Sequence, residues 1–571
     1  MNSSLDNAKL WLSDAYDAET RKAVQDLIDN NPTELDDSFY RNLEFGTGGM
    51  RGIMGVGTNR LNKYTLGAAT QGLANYINQT YPNKEKSVAI AYDVRHNSDT
   101  FAKMVADVLT ANGIKVYLFE SFRPTPELSY TVRHLGCDAG IVLTASHNPP
   151  IYNGYKVYWN DGAQIVPPQD GAIINEVNNV KVDEIKFKGN DDLLTYIGKE
   201  IDDAFIDACV ENGSFTDEGK KDIKIVFTSI HGTAVAITPK AFEKAGFTQV
   251  HQVPEQAIPS GDFPTVKSPN PEEPEALTMA VALANEIGAD VVIGTDPDAD
   301  RVGVATRNNN GEIVLLNGNQ MNTVLTYYLL EKWQEAGKLN GKEFIGSTIV
   351  TSDIFYDIAA KFNVDCKVGL TGFKWIADMI RQFEGVEKFI GGGEESFGFM
   401  VGDFIRDKDS VTTALLVSEI AAVQKAKGSS LYNKLIEIYA ELGKSYQEDL
   451  ISIVKPGKEG AELIAKMMVE FRSNPPKELA GSKVIRTKDF QTSIDKDLIS
   501  GEEKTIDIPK SNVLIFYTED GSKVACRPSG TEPKIKYYFS VNAPLANTTD
   551  YLKVQETLLG KIDQLKNDFS N

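Results

Sequence analysis

Short apolar runs alternate with amphipathic helical patterns through most of this chain. The runs are rich in valine and isoleucine, which is typical of buried strands, and the patterns between them repeat at the helical period. This alternation predicts layered α/β domains with mainly parallel sheets. The first 40 or so residues contain helical patterns and no strand, and beyond Leu450 the pattern changes, which indicates a separate terminal domain.

Three sets of elements are predicted, and each ends on an apolar strand. The first has strands at Ser87–Tyr92, Lys115–Glu120 and Gly140–Leu143, with helices near Ser98–Ala111 and Pro126–Leu135. The second has strands at Ile223–Phe227 and Asp290–Gly294, with helices near Pro239–Ala245 and Glu273–Ile287. The third has strands at Ser347–Val350 and Lys388–Gly392, with helices near Ile354–Phe362 and Phe373–Phe383.

Composition and charge narrow the class of protein. The chain has 571 residues, too many for one hydrophobic core, and 59 basic against 80 acidic residues give a formal charge of −21. Such an anion is a poor partner for nucleic acid or an anionic membrane surface. The start, MNSSLDNAKLWLSDAY, has no signal-peptide pattern, no apolar run is long enough to span a membrane, and the four cysteines form no CxxC pair. We therefore expect a cytoplasmic protein.

The last strand of each set runs directly into a polar loop. These loops are TASHN after GIVL, TDPDADR after DVVIG and GEESFG after KFIGG. Ligands of open α/β sheets bind outside the carboxyl ends of the strands, so the three loops predict one composite cleft.

The first loop, TASHNPPIYNGYK, contains Ser146, His147 and Lys156. An ordinary turn would also explain its Asn-Pro and Asn-Gly pairs. Neighbouring residues of an extended chain point to opposite faces, so a direct contact between Ser146 and His147 requires a bent loop.

The second loop sets three carboxylates, Asp296, Asp298 and Asp300, at alternate positions. In an extended loop they point the same way, and such a cluster of oxygen ligands suits Mg²⁺. Arg301 and Arg307 stand where an EF-hand needs glycine and glutamate, which excludes that motif. A solvated acidic turn and a phosphatase with an aspartyl nucleophile remain as alternatives.

The third polar loop and three further segments have residues that suit sugar hydroxyls, an anion or another ligand. In GGGEESFG, Glu394 and Ser396 suit vicinal hydroxyls, and TGFKW, with Thr371 and Gly372, would add a polar and aromatic edge. RPSGTEPKIKYY can form an anion-binding concavity. FGTGGMRG offers Arg51 among glycines. A flexible turn or a surface hairpin would explain each of these loops taken alone.

The motifs TASHNPPIYNGYK, TDPDADR, GEESFG and RPSGTEPK, in that order, resemble the α-D-phosphohexomutase superfamily, and FGTGGMRG is similar to its N-terminal arginine loop. The resemblance covers roughly Leu43 to Lys536. The resemblance implies an α/β fold of four domains around a central cleft: three related α/β domains and a smaller α+β domain. The domains implied here are a helical extension (1–40) and domains I to IV, at 41–212, 213–322, 323–448 and 449–571.

The resemblance also implies roles for the loop residues. Ser146 would carry the phosphate as phosphoserine, and Mg²⁺ would be held by Ser146 and the three aspartates. Arg51 and Lys156 would lie near the transferred group, with Lys156 or His147 as acid and base. The residues implied in substrate binding are Arg301, Thr371, Gly372, Glu394, Ser396, Arg527, Ser529, Gly530 and Thr531.

The implied reaction interconverts α-D-glucose 1-phosphate and glucose 6-phosphate, with glucose 1,6-bisphosphate as intermediate and activator. GEESFG resembles the glucose-type loop, while HNPPIYNGYK is similar to a longer subgroup that includes phosphopentomutases. Phosphopentomutase and phosphomannomutase activity are therefore alternatives within the superfamily. Outside it, the alternatives are an aspartyl sugar phosphatase and a non-catalytic sugar-phosphate-binding protein. The oligomeric state cannot be read from the sequence.

Overall fold

The computed structural model describes residues 3–46, 48–455, 457–529 and 533–570. The chain divides into two compact units, and each combines separated stretches of sequence. The first unit contains the chain up to Leu316 together with Ala377–Glu384 and Ser396–Gly428. The second contains Asn317–Ile376, Gly385–Glu395 and the chain from Ser429 onward. Among the described residues, no helix combines the length and apolar character needed to cross a bilayer.

The N-terminal segment is helical, as the sequence predicts. Its helices are α1 (Ser4–Leu10), α2 (Ala18–Asn30) and α3 (Pro32–Phe39). The side chain of Asp17 caps α2 and that of Asn31 caps α3, each by accepting a backbone N–H of the first turn. Trp11 and Phe39 pack with Tyr64 in a small core, which joins the segment to the α/β layers that follow.

The first α/β layer system contains the predicted strands and helices of the first set. Its elements are β1 (Gly49–Ile53), α4 (Lys63–Thr80), β2 (Ser87–Tyr92), α5 (Ser98–Ala111), β3 (Lys115–Phe119), α6 (Thr125–His134), β4 (Ala139–Leu143), β5 (Tyr152–Trp159), α7 (Gln169–Asn179), β6 (Leu194–Ile197) and α8 (Lys199–Gly213). The strand order is β1-β5-β4-β2-β3-β6, parallel from β4 to β6, with β5 antiparallel to both β4 and β1. Apolar cores cover both faces of the sheet, which explains why its strands read as continuous apolar runs.

The second layer system completes the long first stretch of the first unit. Its elements are β7 (Ile225–Thr228), α9 (Thr238–Lys244), β8 (Val250–Gln252), α10 (Thr278–Ile287), β9 (Val291–Thr295), β10 (Val302–Arg307) and β11 (Ile313–Leu316), in the strand order β11-β10-β9-β7-β8. The long helix predicted from Glu273 begins instead as a 3₁₀ turn at Pro274–Leu277 and becomes α-helical only at Thr278. Pro274 has no N–H to give, which suits it to a helix start rather than an interior.

The third stretch contributes elements to both units. They are α11 (Gly318–Glu335), β12 (Glu343–Thr348), α12 (Ile354–Phe362), β13 (Asp365–Gly369), α13 (Lys374–Phe383), β14 (Lys388–Glu394), β15 (Gly398–Val401), α14 (Ser410–Ala426) and α15 (Leu431–Leu442). In the second unit, β12 lies between β13 and β14 and is parallel to both. The strand predicted at Ser347–Val350 starts earlier, at Glu343, and ends earlier, at Thr348. Ile349 and Val350 lie beyond its end and are apolar because they pack in a core with the terminal sheet.

The terminal stretch forms an antiparallel sheet in the second unit. Its elements are β16 (Lys444–Val454), α16 (Gly457–Ser473), β17 (Glu478–Leu479), β18 (Ser482–Asp489), β19 (Ile494–Asp497), β20 (Glu503–Thr505), β21 (Leu514–Thr518), β22 (Lys523–Pro528), β23 (Lys534–Pro544) and α17 (Tyr551–Ser570). The strand order is β16-β23-β22-β21-β18-β19-β20. β16 pairs with β23 over its whole length, so it crosses position 449, where the sequence predicts the terminal domain to start.

Candidate active site

Ser146 sits in a bent loop that follows β4. Its backbone φ is 53°, in the left-handed region that a residue other than glycine seldom adopts, and its N–H donates to Thr144 Oγ1 at 2.8 Å. The bend brings Ser146 Oγ within 3.2 Å of His147 Nδ1, a contact that an extended chain would not allow. Ser146 Oγ also donates to Asp296 Oδ2 at 3.0 Å, which joins the first polar loop to the second.

Arg95, just beyond β2, holds this loop in shape. Its guanidinium donates hydrogen bonds of 2.5 to 3.1 Å to four backbone carbonyls of the loop, those of Ser146, Asn148, Pro149 and Tyr152. The carboxylate of Asp93 lies with Oδ2 at 3.2 Å from Arg95 Nε and balances the charge of the guanidinium. Both side chains are fully buried. Because these carbonyls have a buried charged donor, the left-handed turn at Ser146 is fixed by the fold.

The three predicted metal ligands are brought together, although by a turn and not by an extended loop. Each of Asp296, Asp298 and Asp300 is buried and offers a carboxylate oxygen within 4.8 Å of those of the other two. Ala299 has φ of 56°, and Asp296 Oδ1 accepts the N–H groups of Asp300 at 3.1 Å and Arg301 at 3.0 Å. The alternate spacing therefore points to the right cluster, whereas the extended geometry inferred from it is wrong.

Two lysines and a threonine contact these carboxylates. Lys156 Nζ donates to Asp298 Oδ2 at 2.7 Å and Asp300 Oδ2 at 3.0 Å, and Lys408 Nζ lies 2.9 Å from Asp300 Oδ2. Thr125, the first residue of α6, donates its N–H to the Asp298 carbonyl at 2.8 Å and its hydroxyl to Asp298 Oδ2 at 2.9 Å.

The remaining oxygens of the cluster fit a hard metal ion. Oδ1 of Asp298 and Oδ1 of Asp300 are buried, and neither accepts a hydrogen bond from any described residue. Buried carboxylate oxygens left without donors are costly unless a cation binds them, and an all-oxygen donor set suits Mg²⁺ or a similar ion. The residues present can therefore hold a divalent metal.

The charges of the cluster shift its pKa values strongly. Burial, together with the charges of Asp300 and Asp298, raises the pKa of Asp296 well above its usual range. Burial acts in the same direction on Asp300, but Lys156 and Lys408 outweigh it and hold the pKa of that carboxyl well below its usual range. Burial and then the charges of Arg301 and Arg51 lower the pKa of His147, so its imidazole is neutral in this arrangement.

The other predicted residues of the first unit lie around these loops. Arg51 lies on β1, where its partner on β5 is Gly154, and its side chain is exposed. Lys156 is two residues further along β5 and pairs with Gly49. Arg301 forms an ion pair with Glu272. The segment that begins at Ser396 runs beside Arg301, because Val302 donates its N–H to the Phe397 carbonyl at 3.1 Å.

In the second unit, Glu394 ends β14. It is 6% exposed, and its backbone carbonyl accepts a hydrogen bond from Asn322 Nδ2 at 2.9 Å. The neighbouring Glu395 carboxylate accepts the hydroxyls of Thr348 and Thr351, each at 3.2 Å. The fold thus fixes the base of the predicted sugar loop through backbone and side-chain bonds.

Thr371 and Gly372 lie in the turn between β13 and α13. The Thr371 hydroxyl is buried and has no hydrogen-bond partner among the described residues, and Gly372 has φ of 110°, which favours glycine. This turn therefore leaves a buried hydroxyl available to a ligand.

Arg527 lies near the end of β22, and its Nη1 is 3.4 Å from Tyr538 Oη. Ser529 donates its N–H at 2.7 Å to the carbonyl of Lys534, the first residue of β23. Gly530 and Thr531, also predicted in this loop, lie outside the described residues.

Three residues of the site were not identified from the sequence: Arg95, which binds the serine loop, and Thr125 and Lys408, which contact the aspartate cluster. Arg95 stands in DVRHNS directly after β2, and Thr125 in FRPTPE directly after β3. The criterion used for the other loops, a polar segment at the carboxyl end of a strand, would have found both. Lys408 stands in FIRDKD, a charged run before the apolar helix α14, and shows no such signal.

Comparisons with known proteins match most of the chain to one family. Residues 42–184, 203–311 and 317–439 match the models of domains I, II and III of the phosphoglucomutase/phosphomannomutase family, each described as an alpha/beta/alpha domain. A phosphoglucomutase of Staphylococcus aureus (strain MRSA252) is 40% identical over 544 residues, which cover 94% of this chain and 96% of that protein.

Solved structures share the fold at lower identity. A phosphoglucomutase/phosphomannomutase family protein from Burkholderia thailandensis has a TM-score of 0.65 and 18% identity, and covers 91% of this chain and 97% of its own. The open form of pp63/parafusin from Paramecium, described as a phosphoglucomutase, has a TM-score of 0.63 and 18% identity, and covers 92% of this chain and 95% of its own.

Proposed function

The chain belongs to the α-D-phosphohexomutase superfamily, and on that premise we propose that it is a phosphoglucomutase, which interconverts α-D-glucose 1-phosphate and glucose 6-phosphate. The observation that carries the proposal is the contact between Ser146 Oγ and Asp296 at 3.0 Å, inside a cluster that fits a metal ion. A serine hydroxyl beside a metal-binding carboxylate is placed to exchange a phosphoryl group.

In the proposed cycle Ser146 carries a phosphoryl group and gives it to the free hydroxyl of a sugar monophosphate. The P–O bond to Ser146 breaks as the bond to the sugar oxygen forms, which leaves free serine and glucose 1,6-bisphosphate. The bisphosphate turns, and Ser146 Oγ accepts the phosphoryl group from its other end. Phosphoserine and sugar monophosphate are thereby regenerated.

The residues that would hold Mg²⁺ are Asp296, Asp298 and Asp300, with the oxygen of Ser146. When bound, the ion supplies positive charge that stabilises the transferred phosphoryl group and the departing serine oxygen. Lys156 and Lys408 hold two of these carboxylates in place.

Proton transfer to and from the sugar hydroxyl has two candidates in the first unit. Lys156 is one, and it lies on β5, which pairs with β1, the strand that carries Arg51. His147 is the other, with Nδ1 at 3.2 Å from Ser146 Oγ. Arg51 would add positive charge for the transferred group.

We propose that the remaining predicted residues bind the substrate. Thr371, Gly372, Glu394 and Ser396 would bind sugar hydroxyls, with Arg301 as a further contact. Arg527 and Ser529, with Gly530 and Thr531, would bind the phosphate that is not being transferred. A mutase needs this second phosphate site because its intermediate carries a phosphate at both ends, whereas a phosphatase needs only one.

The test is to locate the covalent phosphate. After incubation with glucose 1,6-bisphosphate, peptide mapping should find a hydroxylamine-stable phosphate on Ser146, and Ser146→Ala should take up none. Thr144→Ser, a change at the neighbouring hydroxyl, is the matched control and should still be labelled at Ser146. A hydroxylamine-labile phosphate on Asp296 or Asp298 would establish the aspartyl phosphatase instead.

The sugar is tested separately, with glucose, mannose and ribose 1-phosphates as substrates and a catalytic amount of glucose 1,6-bisphosphate. We expect the highest kcat/KM for glucose 1-phosphate. A higher value for ribose 1-phosphate would make the chain a phosphopentomutase and leave the Ser146 chemistry intact.

A further inference from the structure

A cavity of about 150 Å³ lies within the second unit, between the end of β12 and the terminal sheet. Part of its lining is apolar, with Ile349, Ile506, Ile508 and Ile515 among its residues. It is separate from the proposed phosphate loop. Lys523, which lines the cavity, and Arg527 are at opposite ends of β22, about 13 Å apart along an extended strand.

Two lysines and two aspartates line the cavity, and Arg486, bound to one of these aspartates, adds a third positive charge beside it. Lys523 is paired with Asp353 at 2.7 Å, and Arg486, which does not line the cavity, is paired with Asp495 at 2.6 Å. Lys488 has no hydrogen-bond acceptor among the described residues, and the Asp495 oxygen 4.0 Å from its ammonium is already bound by Arg486. Lys488 therefore shares Asp495 with Arg486 and lies over the Tyr517 ring, 5.5 Å from its centroid, which leaves its ammonium able to bind a further anion.

A second polar group in the lining also lacks a partner. The hydroxyl of Ser347 is buried, the residue being 2% exposed, and it makes no hydrogen bond with any described residue. Buried hydroxyls are nearly always hydrogen-bonded, so a ligand oxygen is the natural partner for this one.

We propose that this cavity binds a small organic carboxylate, with its charge on Lys488, an oxygen on Ser347 and its carbon chain against the isoleucines. A cavity of about 150 Å³ holds a molecule of about six non-hydrogen atoms, the size of benzene, which favours a small carboxylate over a sugar phosphate. This second site goes beyond the proposed mutase reaction and does not depend on it. Thr348 and Thr351, which line the cavity, bind Glu395, so an occupant would lie beside the residues that fix the predicted sugar loop.

The experiment measures the acetylation rate of Lys488 in the full chain by peptide mass spectrometry, with butyrate as the probe. Burial, and then the charge of Arg486, lower the pKa of Lys488. A carboxylate bound to the ammonium would raise that pKa and block the amine from the reagent. At a butyrate concentration about ten times Kd, acetylation of Lys488 should slow about tenfold, in proportion to the free fraction. Lys483, exposed on the same strand, is the matched control and should not change.

Calorimetry with variants provides the second measurement. Lys488→Met should abolish the heat of butyrate binding, Ser347→Ala should weaken it, and Lys483→Met should leave it unchanged. The proposal is overturned if butyrate slows neither lysine or slows both equally, if inorganic phosphate protects Lys488 and butyrate does not, or if Lys488→Met binds butyrate like the wild type.

Discussion

Replacing Thr125 by valine tests whether the start of α6 positions the cluster of three aspartates. Valine keeps the shape and the backbone bond from residue 125 to the Asp298 carbonyl, and removes only the hydroxyl that donates to Asp298 Oδ2 at 2.9 Å. Thr125 is fully buried, so water does not replace the lost donor. The variant therefore removes one hydrogen bond from one predicted metal ligand.

The size of the effect follows from the bond that is lost. A hydrogen bond to a charged group contributes about 1.5–3 kcal/mol, and removing an outer partner of a metal ligand typically weakens metal affinity by about 10–100-fold. We expect the Mg²⁺ concentration for half-maximal mutase activity to rise by that factor in Thr125→Val. Activity at saturating Mg²⁺ should fall less.

The assay is mutase activity in chelator-buffered Mg²⁺, with denaturant unfolding to show that the variant is folded. Thr125→Ser keeps the hydroxyl and should behave like the wild type. Thr131→Val is the matched control, because Thr131 is equally buried on α6 but donates to the Glu127 carbonyl at 2.6 Å and not to the cluster. A wild-type Mg²⁺ dependence in Thr125→Val, or an equal shift in Thr131→Val, would refute the reasoning.

Three further outcomes are expected. Chelation with EDTA should abolish activity and Mg²⁺ should restore it, and full activity in excess chelator would contradict this. Asp298→Asn should lose several kcal/mol of transition-state stabilisation, which is the scale of metal-ion catalysis. Arg527→Ala should raise KM, lower kcat and release more free bisphosphate per turnover while Ser146 still accepts phosphate, and unchanged kinetics would disprove its role in phosphate binding. Burial raises the pKa of Glu448 from 4.5 to about 7, so the folded state keeps a proton that the unfolded chain loses, and wild-type stability should fall by about 3 kcal/mol relative to Glu448→Gln between pH 4 and 8. Parallel pH profiles in urea unfolding would refute that assignment.

Much of the fold could be predicted because buried strands and amphipathic helices leave periodic signals. The helices at Ser98–Ala111 and Ile354–Phe362 have the predicted bounds, since each presents an apolar stripe to a sheet. The end of β12 could not be predicted, because Ile349 and Val350 are apolar through contact with strands more than 100 residues later. Such contacts leave no local period.

The candidate site was predictable where its chemistry is concentrated in one short segment. The spacing of Asp296, Asp298 and Asp300 predicts a carboxylate cluster, and the structure brings the three together, although the turn at Ala299 was not foreseen. Lys408 could not be found in this way, because a lysine in a charged run says nothing about which distant carboxylate it contacts. Its partner Asp300 lies more than 100 positions earlier in the chain.

The discontinuous course of the chain has a consequence for its synthesis. The first unit is complete only when Ser396–Gly428 has been made, because this stretch carries α14, which packs on α8, and Lys408. At about 5–20 residues per second, the ribosome takes roughly 6–22 s to go from Leu316 to Gly428. During that interval the nascent α/β layers lack one helix, and Asp300 lacks one of its two lysines. A chain that stops at Leu316 should therefore bind chaperones and aggregate, whereas one that extends past Gly428 contains every segment of the first unit.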